Sequence, residues 1–291
     1  MPSLWSSAAW PVEPPLFAVV VVGVLYHLGG RRRVSTRRGI DRPAKTASFY
    51  LGLFTILVAV DSPLDPLADT LFAAHMAQHV LLLTVAPALI VLAGPWTQIW
   101  QPLPLGFRRT VAKAVALHPR GRPLRAAAHA LGRPLVAWAL FNVNLLLWHV
   151  PALYDATLHS QTTHNLEHAL FFSTGILFWT QVFDSAPFRA QLTWLWRAAY
   201  TTTGMLVGWV LAVVLAFAPT PLYHAYAALP SRPGGLSALG DQQIAAGVMW
   251  VPGSIVYTIA ILVFFYRWLG PEPERRGTVT AGVLNPSIGG P

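Results

Sequence analysis

The stretch Leu71 to Pro95, LFAAHMAQHVLLLTVAPALIVLAGP, decides how this chain is read. It contains no Asp, Glu, Lys or Arg and is long enough to cross a bilayer as a helix, which takes about 20 apolar residues. Two imidazoles, His75 and His79, stand near its front. At a spacing of four they lie on nearly one helix face, about 6 Å apart along the axis. Polar groups inside a span are costly and mark functional sites by default. Pro87 and Pro95 are expected to kink and to end the helix.

Composition agrees with a membrane protein. The 291 residues are 54% hydrophobic and 11% charged, with a mean hydropathy of +0.50. Soluble domains carry about 25% charged residues. The formal charge of +9 would suit nucleic acid in a soluble protein. Here its distribution follows a membrane instead, so a lipid bilayer is expected as a partner and nucleic acid is not. Cysteine is absent, which removes disulfides, thiolate metal sites and cysteine nucleophiles. The N-terminal MPSLWSSAAWPVEPP lacks the basic n-region of a signal peptide, so the first span is expected to be retained.

Apolar runs at 15–29, 47–60, 71–93, 134–149, 164–183, 198–218 and 243–268 predict an all-α polytopic bundle of seven transmembrane helices. One membrane domain would cover 1–269, followed by a Pro- and Gly-rich tail, 270–291, predicted to be disordered. With seven spans, 19 of the 20 basic residues fall on one side and only Arg232 on the other. The positive-inside rule then places the N-terminus outside and the C-terminus in the cytoplasm. The outer side collects seven of eleven carboxylates and seven of ten histidines. His27, His118 and His129 fall at the opposite edge among arginines and read as interfacial residues. Phe107 to Leu117 is amphipathic and is expected to lie on the inner surface.

The histidines on the outer side form a pattern. Span three offers His75 and His79. Span five, parallel to it, opens with HNLEH, which carries His164 and His168 at the same spacing. Span four ends with NLLLWHVP, bringing His149 to that level, with Asn142 seven residues earlier. Span seven begins DQQIAAGVMW, with Asp241 at its mouth and Met249 about two turns deeper. Imidazole suits Cu, Zn, Fe and Ni, whereas thioether selects Cu(I). An outward-open histidine layer without thiolate fits copper or zinc best. A single histidine at a membrane edge is more often a hydrogen-bonded interface residue, and His159 and His224 read that way more readily than as ligands.

Two other chemistries remain open on the residues alone. His164-Asn-Leu-Glu-His168 matches H-x-x-E-H, the inverted zinc-hydrolase motif, with Glu167 as its general base. A bis-histidine haem needs only one histidine from each of two helices.

The segments HMAQHVLLLTVAPALIVLAGP (75–95), LWHVPALYDATLHS (147–160), HNLEH (164–168) and DQQIAAGVMWVPG (241–253) resemble the CtaG-like, seven-span assembly factors of bacterial haem–copper cytochrome c oxidases. The resemblance covers nearly the whole membrane core. It implies a non-enzymatic role in the bacterial cytoplasmic membrane, with copper delivered to an oxidase subunit and received from an extracytoplasmic donor. By position it implies His75, His79, His149, His164 and His168 as copper ligands. It implies Asp241 and Met249 as supports and His224 as a weaker candidate; the residues themselves add Glu167 and Asn142 as supporting groups and His159 as a weaker candidate. A differently built copper chaperone sharing the family's name has one span and uses cysteines, and is not similar to this chain.

Overall fold

A computed structural model describes residues 14–32 and 42–270. The predicted disorder of the tail beyond residue 270 therefore lies outside the described residues. Among those described there is no strand, only an isolated bridge between Ser185 and Phe188.

The helices run in the order α1 (Pro14–Arg32), α2 (Arg42–Val60), α3 (Leu64–Ala68), α4 (Phe72–Val80), α5 (Ala86–Ala93), α6 (Trp96–Trp100), α7 (Leu105–Ala116), α8 (Arg122–Leu131), α9 (Pro134–Trp148), α10 (Pro151–His159), α11 (Gln161–Val182), α12 (Trp194–Phe217), α13 (His224–Ala227) and α14 (Ala238–Leu269). Each of the seven apolar runs is helical. By length and composition, four helices can cross a membrane: Pro43–Val60, Phe72–Ala93, Trp194–Phe217 and Ala238–Leu269. A fifth is added if α8 and α9, bent by 80° across residues 132–133, count as one. The amphipathic helix expected between 107 and 117 is α7.

The opening stretch is the axis of the bundle. Of Phe72–Ala93, 67% is buried inside the protein, against 22–33% of the other three spanning helices. It packs against α2, α11 and α14. The outer helices turn apolar side chains such as Phe54, Val210, Phe217, Ile255 and Leu262 outward, as a lipid-facing surface requires.

The expected kink takes the form of one π-helical turn, Leu81–Val85, between α4 and α5. Pro87 has no N–H to return to Leu83, and its ring would crowd that carbonyl, so the turn widens. Gly175 of α11 rests against the widened turn. A Cβ there would stand 2.5 Å from the Leu83 oxygen and 2.8 Å from the Pro87 ring, so only glycine allows this close approach. The helix ends at Gly94, whose left-handed φ of 63° is the usual helix-stop conformation.

Candidate metal centre

α4 starts where it does because Leu71 is extended (φ −128°, ψ 117°) and no neighbouring side chain caps the helix. The cap comes from α14. Asp241 Oδ2 accepts the Phe72 N–H at 2.8 Å, and Oδ1 accepts the Ala73 N–H at 3.0 Å. A fully buried carboxylate thus satisfies two orphan donors and meets the positive end of the helix dipole. One and two turns further on stand His75 and His79.

α11 begins at Ser160, whose hydroxyl accepts the Thr163 N–H at 3.3 Å. Its first turns place His164, Glu167 and His168 on one face, because residues three and four apart are neighbours on a helix. That face is turned to α4. Glu167 Oε2 lies 3.5 Å from His75 Nε2, and Oε1 lies 3.4 Å from His79 Nε2. The imidazole rings of His75 and His79 have centroids 4.4 Å apart, and those of His79 and His168 are 5.8 Å apart.

Among the described residues, Nε2 of His75, His79, His164 and His168 and both oxygens of Glu167 are buried without a hydrogen-bond partner. The contacts at 3.4 and 3.5 Å are ion-pair distances without hydrogen-bond alignment. Buried polar atoms are almost always satisfied, so orphans converging on one point call for an explanation. Donor atoms of His75, His79, Glu167 and His168 all lie within 4.8 Å of one another. Two ligands of a tetrahedral ion with bonds of about 2.0–2.1 Å stand roughly 3.4 Å apart. The Glu167–imidazole distances match that edge. The residues therefore fit a divalent ion held by three nitrogens and a carboxylate.

The tautomer of His75 supports this fit. Tyr226 donates its hydroxyl hydrogen to the Ala68 carbonyl at 2.5 Å and stands 3.2 Å from His75 Nδ1. With that hydrogen committed, the phenol accepts from Nδ1–H, which leaves the lone pair on Nε2 facing Glu167. A hydrogen bond at one ring nitrogen fixes the other as the ligand atom. Burial raises the phenol pKa of Tyr226 and keeps its proton in place.

The remaining candidates separate. His164 borders the group, its ring centroid 4.1 Å from that of His168 and 5.0 Å from that of His75. His149 lies outside it, its ring 5.9 Å from His79, with Nε2 turned to Met76. Glu167, expected as a support, is itself a converging donor. Asp241, expected as a support, holds the start of α4. Asn142 bonds within its own helix. Seven residues are about 10 Å of helix axis, and its amide donates to the Trp138 carbonyl of its own helix at 2.8 Å. Met249 lines a cavity beside His79 and His149. His159 and His224 are exposed and stand apart from the group.

The expectation of a layer open to one side is corrected. His75 and Glu167 are wholly buried. α10 and α13 fold aromatic side chains over the centre, with the Tyr154 ring 5.0 Å from His75 and 4.3 Å from the Tyr223 ring. Sequence reasoning missed these tyrosines, and Met76 with them. Tyr154 stands inside LWHVPALYDATLHS, the segment read for its histidines, and Tyr223 directly precedes His224.

Residues 24–270 match the family described as cytochrome c oxidase caa3 assembly factor. The chain belongs to that family. Relatives of the assembly-factor core include an uncharacterized protein of Mycobacterium bovis and one of Mycobacterium tuberculosis. Each is 21% identical over 240 residues, covering 80% of this chain and 35% of the relative. An uncharacterized protein of Mycobacterium leprae is 20% identical over 265 residues, covering 89% and 39%. The chain thus spans little more than a third of the length of these relatives. No solved structure matches it.

Proposed function

We propose that this assembly-factor chain carries copper in the centre between α4 and α11 and delivers it to the copper site of a haem–copper cytochrome c oxidase. The observation that carries the reading is the convergence of three unsatisfied imidazole nitrogens and an unsatisfied carboxylate on one buried point. Family membership supports the destination. Copper is cargo here. Neutral imidazoles hold it less tightly than thiolates would, which favours release to an oxidase subunit. A bilayer and an extracytoplasmic copper donor complete the proposed partners.

The proposed setting is the bacterial cytoplasmic membrane, with all seven apolar helices as spans. α11 is less apolar than the four because it carries His164, Glu167, His168 and Gln181 on its buried face, and the apolar part of α1 is short. The basic loops give the orientation, with the N-terminus and the metal layer outside. Reporter fusions at Gly121 and after Leu269 are expected to read cytoplasmic, and fusions near Asp65 and Ser160 external. A cytoplasmic signal at Asp65 overturns the side assignment.

A zinc hydrolase using H-x-x-E-H is the competing reading. A catalytic zinc keeps an open position for water, and the general base stands off the metal. Glu167 instead sits between two imidazoles under an aromatic roof, which favours the carrier. Rings this close leave no slot for a haem macrocycle. Glu167→Gln separates the two readings. For a carrier, metal content and oxidase maturation are expected to fall together. For a hydrolase, the metal stays and function is abolished.

A further inference from the structure

Beside the nitrogen–carboxylate centre lies a contact of different chemistry. His149 Nδ1 is 2.8 Å from the Leu145 carbonyl, four residues back on α9. A carbonyl only accepts, so Nδ1 carries the hydrogen and the neutral ring presents a lone pair at Nε2. That lone pair faces the Met76 sulfur at 3.3 Å. The imidazole is 6% exposed and Met76 0%. None of the described ion pairs involves His149, so a protonated ring would be a buried charge without a contacting carboxylate. Two buried lone-pair atoms face each other there with no proton to bridge them.

The separation tells what. Bonds of about 2.0 Å to nitrogen and 2.3 Å to sulfur, at an angle near tetrahedral, put the two donors roughly 3.3–3.5 Å apart. A cavity of ≈ 50 Å³ adjoins His149, bounded by α4, α9, α12 and α14 and lined in part by Met205 and Met249. A space of that size holds more than one water-sized guest. The methionines at this corner are three of the chain's four.

We propose that His149 Nε2 and Met76 Sδ form a second metal site, selective for Cu(I), separate from the nitrogen–carboxylate centre. Thioether with imidazole is a soft donor set that favours Cu(I) over Zn(II), whereas three imidazoles and a carboxylate suit a divalent ion. His79 is the shared wall: it supplies a donor to the first centre and lines the cavity of the second. The rings of His79 and His149 are 5.9 Å apart, so the two sites are neighbours inside the bundle. For its role in the cell this inference rests on the copper-delivery reading, but the site itself rests on its own geometry.

The test uses the full chain in detergent with three probes: Cu(I) under anaerobic competition with a chromophoric chelator, Ag(I) as a redox-inert mimic, and Co(II) for the divalent centre. Met76→Leu conserves volume. It is expected to lower Cu(I) and Ag(I) affinity by at least about tenfold and to leave the Co(II) spectrum unchanged. X-ray absorption of Cu(I)-loaded protein grown with selenomethionine should show selenium in the first shell of copper. The signal should vanish in Met76→Leu and persist in the Met205→Leu, Met249→Leu double variant. Copper with no selenium neighbour, or selenium that survives Met76→Leu, overturns the site. Either result with Co(II) still bound leaves the divalent centre standing, whereas loss of Co(II) binding by the unaltered chain speaks against that centre alone.

Discussion

The His75→Ala, His79→Ala double variant is expected to insert in near-normal amount and to lose its divalent metal. Two of the four converging donors disappear. Outer-shell changes alone cost 10–100-fold in metal affinity, so removing two ligands should exceed about 100-fold. Insertion should survive, since replacing two imidazoles by methyl groups makes the central span more apolar. The folded protein will be somewhat weaker, because Glu167 keeps a buried charge and loses both of its 3.4–3.5 Å contacts. In cells, the oxidase should then be made with its haems but without copper, and activity should fail. Extra copper in the medium should restore part of it by bypassing the carrier. A purely structural role predicts the reverse: variant protein missing from the membrane. Normal abundance with a fully active, copper-loaded oxidase would show that His75 and His79 are not required ligands.

The part of this centre that was legible in the sequence is the part that one helix writes by itself. His75 with His79, and His164 with His168, declare a shared face through their spacing, and the apolar run around the first pair declares its burial. What crosses between distant segments was not legible. Met76 is one residue from His75 and therefore about 100° around the helix, so spacing gave no reason to join it to the site. Its partner is His149, 73 residues away. Tyr226 reaches His75 from the short α13, where a loop signal says nothing of direction. Asn142 illustrates the opposite failure. A seven-residue interval preserves the face of a helix but not its depth, and the Asn142 amide bonds within its own helix.

The number of spans shows the same limit. α11 carries His164, Glu167, His168 and Gln181 on buried positions, so its composition reads as less apolar than a lipid-facing helix of equal length. Polar residues gathered on one face of a helix lower its mean hydropathy wherever that helix lies, and α11 is not among the four helices apolar enough to cross a membrane. The bend between α8 and α9 likewise follows from Gly132 and Pro134, breakers visible in sequence, while its angle of 80° is set by packing.

The second large effect is expected at Asp241, a residue outside the converging group. In the folded chain its two oxygens take the first two N–H groups of α4, across a sequence separation of 169 and 168 residues. Asp241→Ala leaves both donors buried, at about 1–3 kcal/mol each for an unsatisfied group. A loss of roughly 2–5 kcal/mol is a large share of the 5–15 kcal/mol that holds a typical domain. The variant is expected to melt well below the parent in detergent, and its metal affinity to drop because the turn carrying His75 frays. Asp241→Asn keeps one accepting oxygen and should restore about half of the lost stability, with metal binding recovering in parallel. That parallel is the discriminating readout. Were Asp241 a direct ligand, Asp241→Asn would keep α4 in place and still lose the metal, and melting temperature and affinity would part company. With the carboxylate 2.8 and 3.0 Å from backbone nitrogens and absent from the four converging donors, the two quantities should move together.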